Sequence, residues 1–241
     1  MRPKPNRDNL QKILRHPQLI LDSLKNLDQA NLSKNHINIH LKKLSKFQPE
    51  IKALEPIEKV CKAIDILSNP CYPTEYLYLV CKIFNPAVFV ETGVCYGGSS
   101  AFILKGLENT NGRLYSIDLP NISYKRDSGN LHKDDIPENL KSGFIVPSQL
   151  RFNWNLILGD SKIELPKLMK FIDRPINIFH HDSMHTYDFM MFEFETVFPK
   201  LSSGGILLSD DADWNGAFED FCRKNSLKHC IYHGKGIAIK T

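Results

Sequence analysis

The chain has 241 residues, room for one α/β domain of ordinary size plus a small appendage. Hydrophobic residues make up 42% of it, enough for a sizeable core, and a formal net charge of +4 from 31 basic and 27 acidic residues is too weak and too evenly spread to argue for nucleic acid or an anionic membrane as partner. The six cysteines form no C-x-x-C pair, which argues against structural zinc. They read as free thiols in a reducing compartment. A polar start, Met1 to Arg7, with no long apolar run behind it predicts no signal peptide, no membrane span and a cytoplasmic protein.

Residues 1–70 are rich in Leu, Lys and Asn. Leu10, Ile13, Leu14, Leu19, Ile20 and Leu24 recur at mostly helical spacing, and Pro56 to Leu67 repeats the pattern, so 1–70 is predicted to be a helical cap. Asn69-Pro70 and Tyr72-Pro73 punctuate the chain, and Thr74 is placed to cap a helix through Phe84. From residue 86 short apolar runs alternate with helical patterns. Strands are expected at 87–91, 113–118, 154–158, 176–179 and 205–209, with helices over about 99–107, after Asp160, and over about 186–201. A closing hairpin is expected from His229 to Lys240, turning at Gly234-Lys235-Gly236. Such alternation implies a parallel sheet covered on both faces, with one antiparallel strand from the hairpin. Residues 119–150 break the rhythm. They read either as a lid over a binding site or as a surface insertion.

Chemistry-bearing residues gather just after the predicted strands, where open α/β sheets bind ligands. The first group is Val90-Glu-Thr-Gly-Val-Cys-Tyr-Gly-Gly-Ser-Ser100. Gly93 and Gly97 let the backbone turn tightly and approach a ligand without a Cβ in the way, or make only a structural tight turn. Their G-x-x-x-G spacing is not the one that seats a pyrophosphate. Glu91 would repel phosphates but suits a cationic amine, as in S-adenosylmethionine. Asp118, ending the second strand, is placed to accept ribose hydroxyls, or is a solvated strand-end acid. Asp160 in Gly159-Asp-Ser161 can accept from an adenine amino group, cap the next helix, or both. Asp182 follows the fourth strand, and Asp210 and Asp211 the fifth. If those strands are neighbours, the three carboxylates meet and could hold Mg²⁺ against an acceptor hydroxyl, or merely cap turns. Zinc at His180, His181 and His185 is disfavoured, because no thiolates accompany them and successive strand residues face opposite ways.

These five groups, in this order, resemble the class I S-adenosylmethionine-dependent methyltransferases, and most of all a subgroup similar to bacterial sugar and macrolide O-methyltransferases. The resemblance covers residues 71–241. It implies a Rossmann-like, mostly parallel seven-stranded sheet in the order 3-2-1-4-5-7-6, the seventh strand antiparallel. It also implies that Glu91 and Gly93, within a first motif that includes Gly97 and Ser99, contact the methionine part. Asp118 would hold the ribose, and Asp160 with Ser161 the adenine. Asp182, Asp210 and Asp211 match the metal carboxylates of metal-dependent members. One position departs from the pattern: Asp182-Ser-Met-His185 stands where relatives often have Asp-Gly-Asp-His, so Met184 replaces a probable base. His185 is then the first candidate base, ahead of Asp188 and His181, with Asp182 beside it. The expected activity is methylation of a small-molecule or glycan hydroxyl. A nicotinamide-dependent oxidoreductase and a non-catalytic S-adenosylmethionine-binding module are the alternatives. The sequence leaves a homo-oligomer open.

Overall fold

The computed structural model describes residues 33–45, 54–68, 72–120, 136 and 140–241. The helical pattern from Leu10 to Leu24 and most of the 119–150 stretch lie outside the described residues. In chain order the elements are helix α1 over 33–44, α2 (Pro56–Leu67), α3 (Tyr76–Phe84), β1 (Val88–Thr92), α4 (Gly98–Leu107), β2 (Arg113–Asp118), β3 (Trp154–Leu158) and α5 (Ser161–Phe171). Then follow β4 (Ile176–His181), α6 (Tyr187–Val197), β5 (Leu201–Ser209), α7 (Ala217–Lys224), β6 (Lys228–Tyr232) and β7 (Lys235–Ile239).

The seven strands form one sheet in the order β3-β2-β1-β4-β5-β7-β6. β1 to β5 pair in parallel, and β7 runs antiparallel to both of its neighbours. Helices cover both faces, so inner strands lose the polar alternation of a half-exposed strand; β1 is buried at every position. Phe89, Leu114, Ile178, Ile206, Leu208 and Ile237 face one core, shared with α1 to α4. Val88, Val90, Ile117, Phe179, Leu207 and Ala238 face the other, shared with α5 to α7. The period of two thus sorts these residues between the cores, with a break in β4, where the register with β5 shifts and Ile176 joins the second core while Ile178 faces the first. Ile145, Val146 and Leu150, from the end of the 119–150 stretch, are buried in the first core. Among the described residues no helix is long and apolar enough to cross a membrane.

Several boundaries differ from the sequence reading. α3 begins at Tyr76, and Thr74 lies before it, its carbonyl accepting the Leu77 amide at 3.1 Å. α6 stops at Val197, where Pro199 lies in a short 3-10 turn through Lys200. β4 runs on through His180 and His181, and β5 starts at Leu201. α7 was missed, although Ala217, Phe218, Phe221 and Cys222 make one buried stripe at helical spacing. The hairpin turns at His233-Gly234, whose φ values of 50° and 75° are what a two-residue type I′ turn needs. Lys235 is therefore a strand residue, not a turn residue.

The tips of β1 and β4 pass so close that only glycine fits between them. Gly93 has φ +85°, and a Cβ there would lie 1.8 Å from the Asp182 carbonyl oxygen. Gly98, five residues on, has no heavy atom within 4 Å of such a Cβ. Gly93→Ala should cost more than about 2 kcal/mol in urea unfolding, combining left-handed strain with overpacking. Gly98→Ala should stay within about 0.5 kcal/mol. Equal effects would contradict the close-approach account.

Candidate active site at the carboxyl edge of the sheet

The glycine-rich turn after β1 is held from two sides. The Asp118 carboxylate accepts the Val94 amide at 3.3 Å and the Cys95 amide at 3.2 Å. From above, Gly143 donates to the Cys95 carbonyl at 2.8 Å and Ile145 to the Tyr96 carbonyl at 3.1 Å. Gly97, at φ +98°, has room for no Cβ, which would meet Gly143 Cα at 2.7 Å. Arg151 ties this covering segment down by donating to the carbonyls of Gly143, at 2.7 Å, and Val146, at 3.1 Å. Contacts within the chain therefore account for both glycines.

On the face towards α3 and α4 a polar row crosses the strands. Glu91 is paired in register with Ser116 on β2 and His180 on β4. Trp154 Nε1 donates to Ser116 Oγ at 2.7 Å, and Ser116 Oγ donates to Glu91 Oε1 at 2.7 Å. Ser100 Oγ donates to the same oxygen. Ser99, also buried, acts on this carboxylate as a further donor. Glu91 Oε2, both His180 ring nitrogens and the Tyr76 hydroxyl are buried with no hydrogen-bond partner among the described residues. Burial pushes the Glu91 carboxyl up to about 7, against the pull of the serine hydroxyls. Burial likewise drives His180 down to about 3. Glu91 is thus fully enclosed, deeper than the mouth of the turn where the sequence reading put it.

On the opposite face the fully buried Glu193 of α6 gathers four donors. Thr92 Oγ1 lies 2.5 Å away, Ser161 Oγ 2.6 Å, His181 Nδ1 2.7 Å and Ser183 Oγ 2.9 Å. Burial alone would raise this carboxyl; the His181 ring, with the Ser161 and Thr92 hydroxyls, outweighs it and holds the group below its ordinary value. Ser161 therefore turns its hydroxyl inward. Asp160 caps α5, accepting the Lys162 amide at 2.9 Å.

The acids expected to bind metal sit at the tips of β4 and β5. Asp210 is paired with Lys235 of β7 and also accepts the Asp211 amide at 3.0 Å. Lys235 holds Asp210 below the usual carboxylate range despite its burial. Asp182 is pushed well up, by burial first and by the Asp210 charge second. Asp211, at φ 44°, is raised more mildly, again by burial and Asp210. Among the described residues no group of three or more His, Cys, Asp or Glu side chains is arranged to hold a metal ion. The His185 ring stands 5.1 Å from that of His181 and 5.4 Å from that of Trp214. Burial and the His181 charge lower its pKa, so it is neutral at pH 7. Trp214, beyond the β5 tip, is 68% exposed.

A family model described as a methyltransferase domain matches residues 90–212, which span the glycine-rich turn, Asp118, Asp160, Asp182 and Asp211. The chain belongs to the methyltransferase-domain family. That membership sets aside the nicotinamide alternative. The chain's fold is that of solved methyltransferases. An O-methyltransferase from Bacillus cereus in complex with S-adenosylhomocysteine is 13% identical, with a TM-score of 0.51 over 79% of this chain and 94% of that one. The S-adenosylhomocysteine-bound methyltransferase PaMTH1 from Podospora anserina is 13% identical, with a TM-score of 0.52 over 86% and 94%. TomG from Streptomyces achromogenes, an O-methyltransferase of tomaymycin synthesis solved with S-adenosylmethionine, is 15% identical, with a TM-score of 0.50 over 80% and 92%. No curated protein matches this sequence.

Sequence reasoning missed Glu193, Lys235, Tyr76 and Trp214 in this methyltransferase. Glu193 had a signal: it interrupts the buried stripe of Met190, Phe194 and Val197. The enclosed Glu91 gives a pH test. A carboxyl raised from 4.5 to about 7 stabilises the fold below pH 4.5 and loses that contribution as pH rises through 7. The stability of Glu91→Gln relative to the unsubstituted protein should therefore grow between pH 4.5 and 8, by on the order of 3 kcal/mol in chemical unfolding. A difference independent of pH would show that Glu91 is already ionised in the fold.

Proposed function

We propose that this methyltransferase binds S-adenosylmethionine at the carboxyl edge of β1 to β4 and methylates a hydroxyl of a small molecule or glycan. The observation that carries the reading is Glu91: a buried carboxylate beside the glycine-rich turn, with one oxygen unpartnered, which suits a cationic amine and repels a phosphate. When bound, the cofactor supplies a methyl carbon activated by its sulfonium. The residues of the chain bind and orient. Glu91 and Gly93, with Gly97 and Ser99 shaping the turn, serve the methionine end. Asp118, fixed by two turn amides, is preorganised to accept ribose hydroxyls. Asp160 serves the adenine. The Ser161 hydroxyl is engaged with Glu193, so its part falls to the backbone amide of the first turn of α5.

His185 is the base. A neutral imidazole accepts the acceptor's proton at pH 7, and the Trp214 ring beside it offers an apolar wall for the acceptor. Asp182, whose carboxyl is pushed up by burial and then by the Asp210 charge, stands with His185 at the β4 tip as the second catalytic side chain. Mg²⁺ assistance, which the resemblance implies, has the three neighbouring acids in its favour and the Lys235 pair against it, and the reading does without it. Residues 71–241 form the catalytic domain, with 1–70 as cap.

Calorimetry with S-adenosylhomocysteine tests the cofactor part. Binding should weaken by about ten- to a hundredfold in Asp118→Ala. No heat from the folded, unsubstituted protein would overturn the reading. His185→Gln should lower S-adenosylhomocysteine release with a panel of phenolic and sugar acceptors by about 10²- to 10⁴-fold while cofactor affinity holds. Tight cofactor binding with no turnover on any acceptor would favour a non-catalytic binding module.

A further inference from the structure

We infer that Lys235 is the resident cation of the carboxylate cluster at the β4 and β5 tips, and that its ammonium excludes a divalent ion from these acids. The inference goes beyond the proposed methyl transfer and does not need it, since it concerns only the cation that pairs with Asp210 in this cluster.

The register of β5 with β7 brings Lys235 to the acids. Ser209 pairs with Gly236 across β5 and β7. Extending the antiparallel ladder by one step sets Lys235 opposite Asp210. The type I′ turn at His233-Gly234 makes Lys235 the first residue of β7, and the Gly234 carbonyl accepts the Ala212 amide at 2.8 Å, binding the turn to the chain just after Asp211. The pair is nearly enclosed: the Lys235 side chain is 11% exposed and that of Asp210 14%. An ammonium at such a site is not a wandering surface charge. It is a point cation on a four-carbon stem whose base is pinned in a strand.

Charge balance gives the same answer. A hard divalent ion needs several oxygen ligands turned towards one point and a charge that the site does not already supply. Here the central acid, Asp210, already spends the same oxygen, Oδ1, on the ammonium and on the Asp211 amide. A divalent ion beside it would meet Lys235 as a like charge at close range in a poorly solvated site. The absence of a convergent three-residue ligand group among the described residues is what this arrangement produces. Lys235 also acts on Asp182 and on His180, after burial and the Asp210 charge.

Manganese titration of the full-length protein, followed by the electron paramagnetic resonance of free Mn²⁺, reads this directly and needs neither cofactor nor acceptor. The unsubstituted protein should leave the free-ion signal as Asp210→Asn leaves it. Lys235→Met, which keeps the stem and removes the charge, should bind Mn²⁺ at least about tenfold more tightly. Adding Asp210→Asn to it should abolish the gain. Lys235→Gln serves should the methionine variant not fold. Binding by the unsubstituted protein that Asp210→Asn weakens tenfold would overturn the inference. So would a folded Lys235 variant with no gain. Failure of S-adenosylhomocysteine to bind would count against the proposed function and leave this result untouched.

Discussion

A single buried carboxylate fastens together the tips that make this site. Glu193 reaches from α6 to the end of β1 through Thr92, to the end of β4 through His181, to the following turn through Ser183 and to the start of α5 through Ser161. A bare carboxylate in that core would be costly; four donors make it an anchor instead. β1 and α5 are far in sequence from α6, and the anchor ties both to the β4 tip that precedes α6. Removing it would leave four donors searching for partners in a dry interior, and the tips that present Gly93, Asp160 and Asp182 would lose their common reference.

Above and below that anchor the sheet separates two kinds of polar chemistry. On the α6 side the carboxylate is saturated with donors and held ionised. On the α3 side Glu91 and His180 sit beside one another in register, each short of partners, and burial drives their titrations in opposite directions, to about 7 and about 3. A saturated network rigidifies, whereas an unsaturated one is poised to receive a ligand's polar groups. The same sheet edge therefore carries a saturated carboxylate on one face and an unsaturated one on the other. Lys235 and Asp210 close the row at the β7 end, where the antiparallel hairpin brings in a cation that a parallel strand would not have delivered.

Much of this was legible beforehand. The alternation of short apolar runs with helical patterns located all seven strands, two of them, 113–118 and 154–158, to the residue. The clustering of acids after strands placed the candidate residues on one sheet edge, because parallel strands all end on it. What escaped depended on contacts between elements distant in the chain. Glu193 lies on a helix whose stripe reads as plain apolar packing until a charged residue is noticed on its buried face. Lys235 escaped through a turn read one step late, with Gly236 taken as part of the loop. The register of a hairpin depends on which two residues adopt positive φ, and a His-Gly turn followed by another glycine admits two choices. The roles of Gly93 and Gly97 were misjudged in emphasis: their missing Cβ atoms make room for Asp182 and Gly143 of the same chain.

Amide hydrogen exchange in Glu193→Gln tests the anchor most directly. Protection should fall together in the segments around residues 92–97, 160–163 and 181–185, while the far ends of β2 and β3 keep theirs. Loss confined to α6, with the four tips exchanging as before, would contradict the view that this carboxylate organises the edge.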